Sequence, residues 1–207
     1  MFKLYDISSV IRPQMQVWKD LEHNRPVFET VRSHDSGETH ETRISLDAHT
    51  GTHLDAPLHM LPGGEKIEAI PLGDLIGPAR VLDLTGAEDG ITRQDLEPFA
   101  IQPGEWILLK TKNSYTDEWR DDFIYVKQDG AEYLAGLGIK GVGVDGLGIE
   151  RSQEGYPTHR TLMRSGVLIL EGLRLKEVSG GSYFFVLAPL KLEGIEAAPA
   201  RAFLMGS

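Results

Sequence analysis

HTGTHLDAPLH, residues 49–59, packs three histidines and an aspartate into eleven positions of a chain with seven histidines and no cysteine. Without thiolate, any transition metal must be held by imidazole and carboxylate, donors that zinc, manganese and iron accept. His49 and His53 are four apart and would share one face of a helix. Gly51 between them and Pro57 beyond argue against a continuous helix. A strand ending near Ala48 and entering a tight turn suits the residues better. Gly51 then lets the backbone fold back so that His49, His53 and Asp55 converge. Pro57 is placed to open a short helix, with Asp55 near its start. Spacing alone leaves open whether such a metal is structural, closed by four ligands, or catalytic, with a position free.

Two distant segments offer partners. In GVGVDGLGIERSQEGYPTHRTLM (141–163) Asp145 ends a strand-like run, and His159 begins a helical one. In GVLILEGL (166–173) Glu171 closes an apolar strand, where a carboxylate is costly unless paired or metal-bound. GVGVDGLG (141–148) superficially resembles a nucleotide loop. It lacks both the ordered G-x-G-x-x-G-to-helix transition and a phosphate-binding lysine, so it reads as a strand and loop leading into the metal site. His23, His34 and His40 sit in polar stretches and read as solvated. KTKNSYTDEW (110–119), with Lys110, Lys112 and Trp119, reads as a surface loop. Phe184, Phe185 and Leu187 are expected in the core or at a subunit interface.

The rest of the chain reads as one domain, 1–207, with more strand than helix. Strands are expected at 42–48, 79–84, 105–111, 141–145, 167–170, 182–192 and 200–204, several apolar on both faces. Helices are expected at 130–137, at 158–164 with Thr158 as N-cap, and as one turn at 92–99 capped by Thr92. The 31 acids against 21 Lys and Arg give a net charge of -10. That surplus argues against nucleic acid and against an anionic membrane as partners. The N-terminal residues lack the apolar run of a secretory signal, and no apolar stretch is long enough to span a bilayer. A cytoplasmic location is the resulting expectation.

With its distant partners, the window is similar to the His-x-Gly-Thr-His-x-Asp-x-Pro-x-His signature of the cyclase-like metal-dependent hydrolases, which include the bacterial kynurenine formamidases. The resemblance extends to Asp6–Ser8, Val17–Trp18, Gly143–Asp145, His159–Arg160 and Leu170–Leu173. It implies an α+β fold, a swivelling β/β/α domain with a strand-rich, barrel-like core. It also implies a divalent zinc or manganese centre, with two ions per subunit. His49, His53 and Asp55 would hold one ion, with Asp55 bridging to a second completed by His159 and Glu171. His59 would be the general acid/base and Trp18 would pack against an aromatic substrate. A homodimer or homotetramer acting on a small molecule is implied as well.

That resemblance and the residue types together predict hydrolysis of a small amide by metal-bound hydroxide. N-formyl-L-kynurenine is the lead substrate, with release of formate as in an arylformamidase. Departures bear on the substrate more than on the metal set. VWKDLEHNRP (17–26) lacks the Pro-Gly-Asp turn usual in the formamidases. GVDGLGIER (143–151) carries Gly146, Gly148 and Glu150 where they tend to have hydroxyl residues and Asp. Lactam or lactone ring opening, a cyclase or dehydratase on the same metal site, and a non-catalytic metal-binding protein are the alternatives.

Overall fold

The computed structural model describes residues 3–206. In chain order its strands are β1 (Lys3–Asp6), β2 (Val27–Arg32), β3 (Glu41–Ser45), β4 (His53–Asp55), β5 (Ile76–Asp83) and β6 (Gly90–Ile91). They continue with β7 (Trp106–Lys110), β8 (Tyr125–Val126), β9 (Gly141–Val144), β10 (Leu168–Glu171), β11 (Gly181–Pro189) and β12 (Ala197–Gly206). The helices are α1 (Arg93–Leu96), α2 (Gln128–Gly136) and α3 (Pro157–Arg164). Seven strands close into a ring in the order β12-β11-β5-β7-β9-β10-β4, because β4 pairs with β12 as well as with β10. β1 adds an eighth strand along β12. The pairs β5–β7, β7–β9 and β9–β10 are parallel. Parallel neighbours need a crossover, and α1, α2 and α3 lie in those three connections.

Side-chain alternation along these strands builds two cores. Trp106 and Leu108 of β7 face the barrel interior with Val81, Leu170, Phe185 and Leu204. Ile107 and Leu109 face outward, with Val142, Val144 and Ile169, under Leu134 of α2 and Leu162 of α3. Covering on both sides explains why these strands read as continuous apolar runs. Gly141 and Gly143 belong to this packing: a Cβ at 141 would lie 2.5 Å from Trp106, and one at 143 would lie 2.7 Å from Leu108. The glycine-rich run is therefore a barrel strand.

Several expectations need correction. The segment predicted as strand 42–48 is β3, which ends at Ser45 and pairs with β2 in a hairpin outside the barrel. Strands β1, β2, β4, β6 and β8 lie outside the expected set. Thr158 is not the cap of α3; that position is Tyr156 in a left-handed conformation, while Thr158 lies in the first turn and donates to Val126 O at 2.7 Å. Thr92 does cap α1, in a reciprocal pair with Asp95. The 110–119 segment is not simply a surface loop. Lys110 is buried and donates to the carbonyls of Val178 and Lys176 at 2.7 and 3.1 Å. Phe185 and Leu187 fill the barrel, whereas Phe184 is exposed.

Candidate metal centre

The site forms at the C-terminal ends of β9 and β10, where open crevices of parallel sheets commonly lie. Register decides its composition. His53 sits directly across from Glu171 in the β4–β10 pair, and Leu54 sits across from Leu170. Leu54 and Leu170 enter the barrel core. By alternation, His53, Asp55 and Glu171 share the opposite face, toward α3 and its His159. Gly51, at φ +66, supplies the reversal that brings His49 back over Asp55.

A second glycine fixes the approach of these strands. Gly172 has φ +71, and a Cβ there would fall on the carbonyl of Gly51. Its own carbonyl accepts the hydroxyls of Ser9 and Thr52, each at 2.7 Å. Ser8 meanwhile donates through Oγ to Ala202 O at 3.1 Å. The N-terminal DISS segment thus stitches β12, the 49–59 window and the end of β10 together.

All five residues expected as ligands converge. His49 Nδ1 is 3.1 Å from Asp55 Oδ1. His53 Nε2 lies 3.5 Å from Asp55 Oδ1 and 3.3 Å from Glu171 Oε2. His159 Nε2 lies 3.4 Å from Glu171 Oε1. Donor atoms of His49, Asp55 and His59 lie within 4.8 Å of one another, as do those of His53, Asp55 and Glu171. Asp55 belongs to both groups, but their make-up differs from the expected sets: His59 joins His49, His53 joins Glu171, and His159 falls in neither. His59 follows Pro57 in a short 3-10 turn, its ring centroid 4.4 Å from that of His49 and 5.7 Å from that of His159.

Hydrogen bonding supports a metal here. The ring nitrogen His53 Nδ1 meets Gly51 O at 2.9 Å, so it donates, and in the neutral ring Nε2 is the nitrogen left to bind an ion. That Nε2 and both oxygens of Asp55 are buried without a hydrogen-bond partner. Three orphaned polar atoms side by side in a folded interior are expensive. A divalent cation accepts all three, so the residues fit the group.

The charges are mutually dependent. Burial alone would lower the His53 and His159 imidazoles. The Glu171 carboxylate beside His53 and the Glu150 and Glu171 carboxylates beside His159 instead raise them to about 9 and about 10. Burial opposes ionisation of Glu171 too, but the His159 and His53 rings beside it, when charged, hold it well below the usual carboxylate range. His59 behaves differently: burial pushes it below its ordinary 6.5.

A cavity of about 660 Å³ opens beside the cluster, lined by His49, His59, His159 and Glu171 at its base. Its wall includes Trp18, Trp119 and Phe123. The Trp18 ring packs edge-on against Trp119 and Phe123, with centroids 4.9 and 5.9 Å away. Trp18, 37% exposed, thus faces this cavity. Trp119, read as surface loop, and Glu150, read only as a departure from the family pattern, were not expected at the site. Asp145 is not part of the cluster: it is buried and accepts from Thr111 and Ser114.

The family model described as "Putative cyclase" matches residues 5–151. The kynurenine formamidase of Salinibacter ruber (strain DSM 13855 / M31) is 32% identical over 204 residues, covering 97% of this chain and 96% of that protein. A solved structure described as a potential metal-dependent hydrolase with cyclase activity is 50% identical. It superposes with a TM-score of 0.94, covering 100% of this chain and 99% of that one. Isatin hydrolase A from Labrenzia aggregata, solved with benzyl benzoate, shares the fold at TM-score 0.85 and 23% identity, covering 99% of this chain and 93% of that one.

Proposed function

The chain belongs to the cyclase family, and on that premise we propose that it is a metal-dependent amide hydrolase whose lead substrate is N-formyl-L-kynurenine. The observation that carries the metal dependence is the trio of orphaned buried atoms on His53 and Asp55. Two ions per chain, zinc or manganese, would be held by His49, His53 and Asp55 and by Asp55, His159 and Glu171. A divalent ion bound there supplies Lewis-acid polarisation of a carbonyl and lowers the pKa of water toward neutrality.

The chain's own groups do the rest. His59, kept below 6.5 by burial, is largely neutral at pH 7 and presents a basic ring nitrogen to the cavity. It takes the proton of the attacking water and returns it to the departing amine as the C–N bond breaks. Formate and a free arylamine are the products. Trp18, Trp119 and Phe123 form an aromatic wall against which a planar ring stacks. The curated relative named above is itself a kynurenine formamidase. Ring opening of a lactam or lactone on the same metal site is the second reading. The exposed Val27, Phe28, Val31 and Ile44 of the β2–β3 hairpin support assembly as a homodimer or homotetramer, which light scattering would measure.

Incubation with N-formyl-L-kynurenine in ¹⁸O-water tests the reaction. One solvent oxygen in formate, abolished by chelation, is expected. Absence of formate alongside chelator-sensitive opening of lactams would move the substrate assignment to the second reading.

A further inference from the structure

Glu150 touches His159 but lies outside the group of converging donor atoms. Its side chain is almost wholly buried, in the loop between β9 and α3. Four donors reach its two oxygens. Oε1 accepts Gln153 Nε2 at 2.8 Å and the Thr158 N–H at 3.2 Å. Oε2 accepts His159 Nδ1 at 2.8 Å and the His159 N–H at 3.1 Å. A carboxylate surrounded this way can only accept, so His159 Nδ1 must carry a proton. The other nitrogen, Nε2, is thereby turned toward Glu171, 3.4 Å from its Oε1.

From this geometry we infer that Glu150 is a positioning residue for the metal centre, fixing which nitrogen of His159 is offered to an ion and where it points. The inference rests on the metal-centre reading above. Outer carboxylates of this kind orient an imidazole ligand and raise its basicity. The same carboxylate also satisfies two amide donors at the first turn of α3, where Tyr156 provides no side-chain cap. Capping alone is therefore the competing role, and the two roles differ in what they predict. Loss of a cap lowers the stability of the fold. Loss of a positioning group weakens one metal ion in protein that remains folded.

Titrating chelator-stripped protein with Zn²⁺ against a chromophoric competitor separates them. His159→Ala first identifies the ion that depends on this ligand. If no ion weakens in that variant, the metal-centre reading of His159 is wrong and the inference falls with it. Otherwise, Glu150→Ala should weaken the same ion by about 10- to 100-fold, with near-UV circular dichroism retained. Glu150→Gln, which keeps a neutral acceptor oxygen, should recover part of that loss. Gln153→Ala removes one donor to Glu150 without touching His159 and should leave affinity close to that of the wild type. Glu150→Ala with native affinity but a lowered Tm would leave only capping. Equal losses in Gln153→Ala and Glu150→Ala would assign the effect to the loop. Imidazole ¹H–¹⁵N spectra of the wild-type Zn²⁺ complex provide a check needing no Glu150 variant. They should show His159 protonated at Nδ1, and an Nε2–H form would overturn the inference.

Discussion

Stripping the metal should leave a protein that loses stability as pH rises from about 6.5 to about 10, the reverse of ordinary acid sensitivity. His53 and His159 have folded pKa values near 9 and 10, against 6.5 for an unperturbed imidazole. A group raised on folding stabilises fully below its unfolded pKa, and that contribution disappears as pH passes the folded value. The shifts correspond to roughly 3 and 5 kcal/mol at about 1.4 kcal/mol per pKa unit. Both rings lean on the one Glu171 carboxylate, so the sum is an upper bound and a combined loss of about 3–5 kcal/mol is expected. His49, also raised, acts in the same direction. His59 is lowered on folding and costs stability below 6.5, which places the optimum of the stripped protein near that pH. Urea unfolding in chelator at pH 6.5, 8 and 9.5 measures the slope. Metal-loaded protein should behave oppositely, because bound ligands are deprotonated and affinity rises with pH. A stripped protein whose stability is flat or rising over this interval would refute the reasoning.

Other substitutions probe separate parts of the design. His59→Ala should lower kcat by about 10²- to 10⁴-fold, the range for a lost general acid/base, with metal content by plasma mass spectrometry unchanged. Gly172→Ala adds a Cβ onto the Gly51 carbonyl at a positive φ. It should cost upward of about 2 kcal/mol and weaken metal binding, as read by denaturation and chelator competition. Gly148→Ala would bring a Cβ 2.8 Å from Cζ3 of Trp18. Displacing that ring should raise KM several-fold with kcat largely retained, as read in steady-state kinetics.

The convergence of His49, His53 and Asp55 was legible because its chemistry is local. Three histidines and an aspartate in eleven residues carry a signal that needs no long-range information. Glu171 was legible because a carboxylate ending an apolar strand demands a partner. The barrel strands β7, β9 and β10 announced themselves as apolar runs, since the core covers them on two faces, and β5, β11 and β12 were legible although mainly one face of each is buried. Strand β2 was not, because every one of its residues is exposed and no burial alternation is imposed on the sequence, and β3, equally exposed, read as a strand without revealing its hairpin partner. Strand β4 is only three residues long and is defined by its neighbours on either side. Lys110 looked like a surface cation because nothing near it in sequence reveals that carbonyls 66 and 68 residues away receive its ammonium. Glu150 stood out only as a departure from the family pattern, and its contact with His159 was hidden for the same reason. A carboxylate in a glycine-rich loop looks solvated until α3 folds back and delivers four donors to it.

The most direct test of the central claim is restoration of formate release from N-formyl-L-kynurenine as stripped protein is titrated with Zn²⁺ or Mn²⁺. Activity should be absent without metal, rise in proportion to bound ion and saturate at no more than about two equivalents per chain, the number that one bridging and four further ligands accommodate. Undiminished formate release by protein verified as metal-free would contradict the account. So would failure of the stripped, folded protein to bind either ion.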